Sequence, residues 1–94
     1  MHSDSKKPNE AQQKKLCYML HLALTEIRQL TNTGHERQAS DLAGAFHNLP
    51  QEIWTDYFSI SYFRQAFLNS YYRNWPNRSP LDYLLLFDEV EQLA

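Results

Sequence analysis

The run ISYFRQAFLNSYYRNW, residues 60–75, decides the fold. Wound as an α-helix at about 100° per residue, it aligns Ile60, Phe63, Phe67, Tyr71 and Trp75 along one side. Side chains of that size dominate packing energy, so the stripe reads as the wall of a core. The same winding sends Tyr62, Gln65, Asn69, Tyr72 and Arg73 to the opposite side. Residues 53–75 hold nine of the chain's thirteen aromatic residues. The other segments are read as elements that cover this wall.

Upstream, residues 9–31 carry Leu16, Leu20, Ala23, Ile27 and Leu30 at spacings of four and three, with Met19 and Leu24 widening the line. Asn32-Thr33-Gly34 then ends a helix, glycine being suited to the left-handed position after a helix terminus. Leu22 lies off the main stripe, so more than one side of this helix is expected to be covered. A second helix is predicted over residues 35–47, with Ala39, Leu42, Ala43 and Phe46 as its apolar face. Its alanines allow a neighbouring backbone to come close. Pro50 opens a short helix through about residue 57, and Phe58-Ser59-Ile60-Ser61 forms a bend in which Ser59 or Ser61 caps the aromatic helix.

Downstream, Trp75-Pro76-Asn77-Arg78 stops the aromatic helix. Ser79-Pro80-Leu81-Asp82 starts the last one, with Ser79 expected at the N-cap and Pro80 at the first helical position. Residues 1–8 are polar and lysine-rich and are expected to form a frayed tail. Pro8 is suited to the first turn of the helix that follows. The fold class is therefore all-α: one domain over residues 9–94, a compact bundle of four main helices plus one short helix. Two glycines in 94 residues agree, because an all-β chain needs many turns.

Composition narrows the function. A formal charge of −2 gives no general attraction to nucleic acid or anionic lipid. The single cysteine, Cys17, excludes an internal disulfide and fits a reducing compartment. With no apolar run behind a basic start, a cytoplasmic location is the expectation. Cys17 sits between apolar neighbours and reads as a small, inert hydrophobe. None of His21, His35 or His47 has a second ligand three or four residues away on its helix, so no metal is expected. Without a phosphate loop or nucleophile elbow, neither a cofactor nor catalysis is expected.

Three features remain as candidates. The outer side of the aromatic helix, Tyr62, Gln65, Asn69, Tyr72 and Arg73, combines amphipathic rings, amides and a cation, types that concentrate energy at interfaces. In the last helix, Tyr83, Leu86, Phe87, Val90 and Leu93 share the core side. Leu81, Leu84 and Leu85 project elsewhere beside Asp88 as a leucine patch for a partner or a second copy. Arg64 falls within the apolar stripe, where a charge must either snorkel and stack or pair with a carboxylate; Asp82, Asp88 and Glu26 are the candidates. The expectation is a small non-enzymatic helical module that binds another protein, a second copy of the chain being one such partner. The alternative is a nucleic-acid-binding regulator using the aromatic and arginine-bearing face of residues 60–75. A helix-turn-helix through Asn48-Leu49-Pro50 is disfavoured, because Ile53, Trp54, Tyr57 and Phe58 are too apolar for a recognition helix and Glu52 and Asp56 are acidic.

Overall fold

In the computed structural model, which describes residues 7–56 and 58–94, five helices follow one another: α1 (Glu10–Asn32), α2 (Glu36–Phe46), α3 (Leu49–Glu52), α4 (Ile60–Asn74) and α5 (Leu81–Gln92). This is the all-α arrangement expected, four longer helices and a short one, with no strand among the described residues. Residues 1–6 of the expected tail, and Tyr57, lie outside the described residues. Pro8 is buried and stands before the N-cap of α1 rather than inside its first turn.

Both ends of α1 are closed by local chemistry. Asn9 is the N-cap. Its side-chain oxygen accepts the Gln12 N–H at 2.8 Å, and Gln12 Oε1 accepts the Asn9 N–H at 3.0 Å, a reciprocal box that satisfies two orphan donors. At the other end Gly34 takes φ +83°, a region that side chains with a Cβ rarely enter. The His35 N–H donates to the Leu30 carbonyl at 2.8 Å and the Gly34 N–H to Thr31 at 3.3 Å, the paired bonds of a Schellman terminus.

α1 lies directly against α2 and α5, and α2 lies against α4. α4 reaches α5 mainly through rings. Phe67, fully buried, stands 4.8 Å from Tyr83 and 5.7 Å from Phe87 between centroids, and Phe63 stands 5.7 Å from Phe87. Phe46 of α2 closes the group edge-on to Phe63 and Phe67 at 5.4 and 5.5 Å. These offset and tilted contacts suit the charge distribution of aromatic rings. Leu16, Met19 and Ala23 of α1 and Leu42, Leu49, Ile53 and Phe58 complete the core.

Four local expectations are corrected. The short helix covers only Leu49–Glu52, with residues 53–56 in turns. Ile53 and Phe58 are both buried, and tertiary burial of these two outweighs continuation of the helix. In α5 the N-cap is Pro80, not Ser79, and no side chain caps that end. Of the two serines expected to cap α4, Ser59 does so, accepting the Tyr62 N–H at 3.2 Å, and that expectation stands. Cys17 and Leu24 are exposed, because α1 is covered by α2 and α5 along other flanks and leaves their side bare. Ala43 is exposed as well, whereas Ala39, Leu42 and Phe46 carry the buried face of α2.

Candidate protein-binding surface

The two faces singled out in α4 and α5 have different surroundings. On α4, Tyr62, Gln65, Asn69, Tyr72 and Arg73 all face outward, Tyr62 at 76% of its full exposure. The polar groups of that face are engaged locally. Gln65 Nε2 donates to Asn69 Oδ1 at 3.0 Å, and Arg73 Nε lies 3.9 Å from Asp41 Oδ2. Asp41 also accepts from Asn74 Nδ2 at 2.9 Å, so this carboxylate fastens the end of α4 to α2. Between Tyr62 and Tyr72 the face is amide-rich and carries no continuous apolar strip.

On α5 the leucine patch divides. Leu81 and Leu85, one turn apart, are 58% and 52% exposed. Leu84 is half-buried on the flank that faces α4, the same flank that carries Asp88. There Asp88 Oδ1 lies 3.6 Å from Arg64 Nη1, and both Glu91 carboxylate oxygens lie 3.5 Å from the same nitrogen. Arg64 is thus a partly covered cation held between two acids of α5, the expected Asp88 and, in addition, Glu91. Asp82 and Glu26 lie elsewhere.

What joins Leu81 and Leu85 is α1. The helices run antiparallel: Asn9 Nδ2 donates to the Leu93 carbonyl at 2.7 Å, Gln12 Nε2 to the Val90 carbonyl at 3.0 Å, and Lys15 Nζ pairs with Glu89 at 2.9 Å. Further along, Tyr18 and Leu22 of α1 line one groove with Leu85, Leu86 and Asp82 of α5, and Leu22 lines the next with Leu81. Tyr18 is 56% exposed. Tyr18, Leu22, Leu81 and Leu85 therefore form an apolar strip across two helices, with Lys15 and Glu89 at one end and Asp82 beside it. Leu22 lies off the main apolar stripe of α1, as its spacing implies. The spacing of four shared by Tyr18 and Leu22, and by Leu81 and Leu85, was the signal that the two pairs could meet.

Past Leu81 the strip runs into a polar recess. Tyr83 Oη donates to Glu26 Oε1 at 2.7 Å, and Arg78 Nη2 lies 3.8 Å from Glu26 Oε2. The Arg78 guanidinium stands 5.5 Å over the Trp75 ring, which is 4.7 Å from Tyr71. The Glu26 side chain is 19% exposed, a carboxylate largely withdrawn from water. Burial pushes the Tyr83 hydroxyl pKa far up, and the hydrogen bond and charge of Glu26 push the same way. Burial raises Tyr71 also, against the opposing charge of Arg78.

Among the described residues no group of His, Cys, Asp and Glu side chains converges as a metal site requires, and no helix is long and apolar enough to cross a membrane. No protein-family model, curated protein or solved structure matches the chain.

Proposed function

We propose that the protein is a small helical module that works by binding another protein along the α1–α5 face. The observation that carries this reading is the strip of Tyr18, Leu22, Leu81 and Leu85, with three of its four side chains more than half exposed. In a chain this short, apolar side chains are needed for the core, and grouping them on the outside forgoes that stabilisation. Two antiparallel helices with an apolar furrow between them are the receiving half of a helix-in-groove contact, in which an amphipathic helix lays its apolar side between them. Tyrosine and leucine at the centre and charged residues at the rim match the composition of such contacts. A second copy of the chain presents the same furrow and is one such partner.

The test substitutes Leu81 and Leu85 by aspartate. Because both are exposed, the double variant should keep its helical circular dichroism and melt close to wild type, within about 1 kcal/mol. It should lose the partner recovered by wild type from cell extract, or, if the partner is a second copy, change from dimer to monomer mass by light scattering. Equal recovery and equal mass for wild type and variant would dismiss the α1–α5 face. The three arginines that a nucleic-acid contact on α4 would draw on are each set against an acid: Arg64 at Asp88 and Glu91, Arg73 at Asp41, Arg78 at Glu26. No observation favours that second reading.

A further inference from the structure

The recess at Glu26 contains an asymmetry. Its carboxylate is mostly buried, and one oxygen is well satisfied by the Tyr83 hydroxyl at 2.7 Å. Its counter-ion is held loosely: Arg78 is 58% exposed, and its nearest nitrogen, 3.8 Å from Oε2, is outside hydrogen-bond range. A guanidinium free to choose its position would approach a carboxylate to about 2.7–2.9 Å and use two N–H groups at once. Arg78 makes no such approach to Glu26. It sits in the turn after α4, where its backbone N–H is already committed to the Trp75 carbonyl at 3.2 Å, and its side chain must reach both the Trp75 ring and Glu26.

Arg78 is also a shared wall. On one side lies a groove lined by Leu22, Glu26, Tyr71, Leu81, Asp82 and Tyr83. On the other lies a groove lined by Glu26, Gln29, His35 and Trp75. Glu26, Gln29 and Arg78 line both, and withdrawing the exposed Arg78 side chain would remove one of the two side chains that part them over the carboxylate. The site would then present an acid beside three rings, Trp75, Tyr71 and Tyr83, whose centroids follow one another at 4.7 and 6.4 Å, with the Trp75 face that Arg78 now covers left open. A planar delocalised cation is the group that combination suits best, stacking on a ring while donating to the acid.

We infer that the recess of Glu26, Trp75, Tyr71 and Tyr83 is a binding site for the guanidinium of an arginine carried by a protein partner, and that Arg78 fills it from within the chain until displaced. The inference rests on the α1–α5 face being a protein-binding surface for the source of the arginine. The groove shares Leu22 and Leu81 with the apolar strip, so a partner lying along the strip has the recess at its end. Arg78 then sets the threshold for binding. Its loose ion pair and ring contact are of a strength that holds off a competing guanidinium by about tenfold.

The experiment titrates N-acetyl-arginine amide into wild type and Arg78→Ala and follows the Trp75 indole resonance by NMR, with N-acetyl-norleucine amide as the uncharged control. Arg78→Ala should show a saturable Trp75 shift at about tenfold lower concentration than wild type. Glu26→Gln in the same background should remove it, and the norleucine compound should leave Trp75 unmoved. Equal binding by Arg78→Ala and wild type, or retention of the shift in Glu26→Gln, overturns the assignment. Free arginine adds an α-ammonium and a carboxylate that a peptide-borne side chain lacks and should bind no more tightly than the blocked amide; tighter binding of free arginine would make the site one for an amino acid and refute a peptide source. Should Arg78→Ala fail to fold, wild type carries the test, since displacement requires the Arg78 side-chain resonances to move together with Trp75. These titrations involve no partner protein, so their failure is separate from a failure of the Leu81 and Leu85 substitutions.

Discussion

Replacing Gln12 by alanine should destabilise the fold more than any other polar substitution at the start of α1. Gln12 is 6% exposed and uses both ends of its amide: Oε1 accepts the Asn9 N–H, and Nε2 donates across to the Val90 carbonyl in the last turns of α5. Loss of the reciprocal half of the capping box costs about 0.5–1 kcal/mol, and loss of a buried hydrogen bond about 1 kcal/mol. Removing the buried methylenes adds about 1 kcal/mol. The sum, roughly 2–3 kcal/mol, should lower the melting temperature by about 10–20 °C in a domain of this size. Thermal unfolding followed by the helical circular dichroism signal measures it. Gln12→Glu separates the two ends of the amide. It keeps an acceptor for Asn9 but sets a second oxygen against the Val90 carbonyl, which raises the folded pKa of the acid, so its penalty should shrink as pH falls from that raised value toward about pH 4, where the protonated acid has regained a donor. A Gln12→Ala protein melting within about 2 °C of wild type would show that the amide bridge contributes nothing net.

Tyr83 sets the alkaline limit. Its folded pKa is raised by burial and by Glu26, whereas an unfolded tyrosine ionises near about pH 10, so above that pH unfolding releases a proton and stability falls as pH rises. Tyr83→Phe should flatten the decline of melting temperature above about pH 10 without abolishing it, since Tyr71 is shifted the same way; an unchanged slope would refute the assignment. Phe67→Ala, at the meeting point of α2, α4 and α5, should cost about 3–5 kcal/mol by urea unfolding, and a loss under about 1 kcal/mol would mean that the ring cluster is not the centre of the core. Arg64→Ala should cost about 1 kcal/mol or less, diminishing with added salt, because its acids are half in water; a salt-independent loss would indicate packing of the stem instead.

The helices were legible because each apolar stripe agrees with its own terminators. The wall of Phe63, Phe67 and Tyr71 and the stop at Gly34 needed no knowledge of neighbours. What was not legible depends on which flank of a helix another helix takes. Cys17 and Leu24 look like core in one dimension, and only the positions of α2 and α5 leave them bare. Pro80 displaced Ser79 from the expected cap, although both residues suit a helix start. Glu26 and Tyr83 are 57 residues apart and belong to no common motif, so their hydrogen bond could be found only once α1 and α5 were side by side. The candidate surfaces divide the same way: the outer face of α4 follows from helical spacing alone, whereas the strip on α1 and α5 is a product of pairing.

The tight turn at Gly34 sets an order of assembly. α1 and α2 are joined by three residues and lie against each other, so their contact closes a short loop at little entropic cost. The bonds from Asn9 and Gln12 to α5 span 84 and 78 residues and must wait for the rest of the chain to be gathered. The α1–α2 hairpin should therefore be the early-forming part and α5 the late one. Native-state hydrogen exchange would then find the amides of α5 opening below the global unfolding free energy while those at the centre of α1 hold to it. A protein with that gradient presents its α1–α5 furrow on the element that is easiest to shift, so a partner settling there would stiffen the least stable part of the molecule.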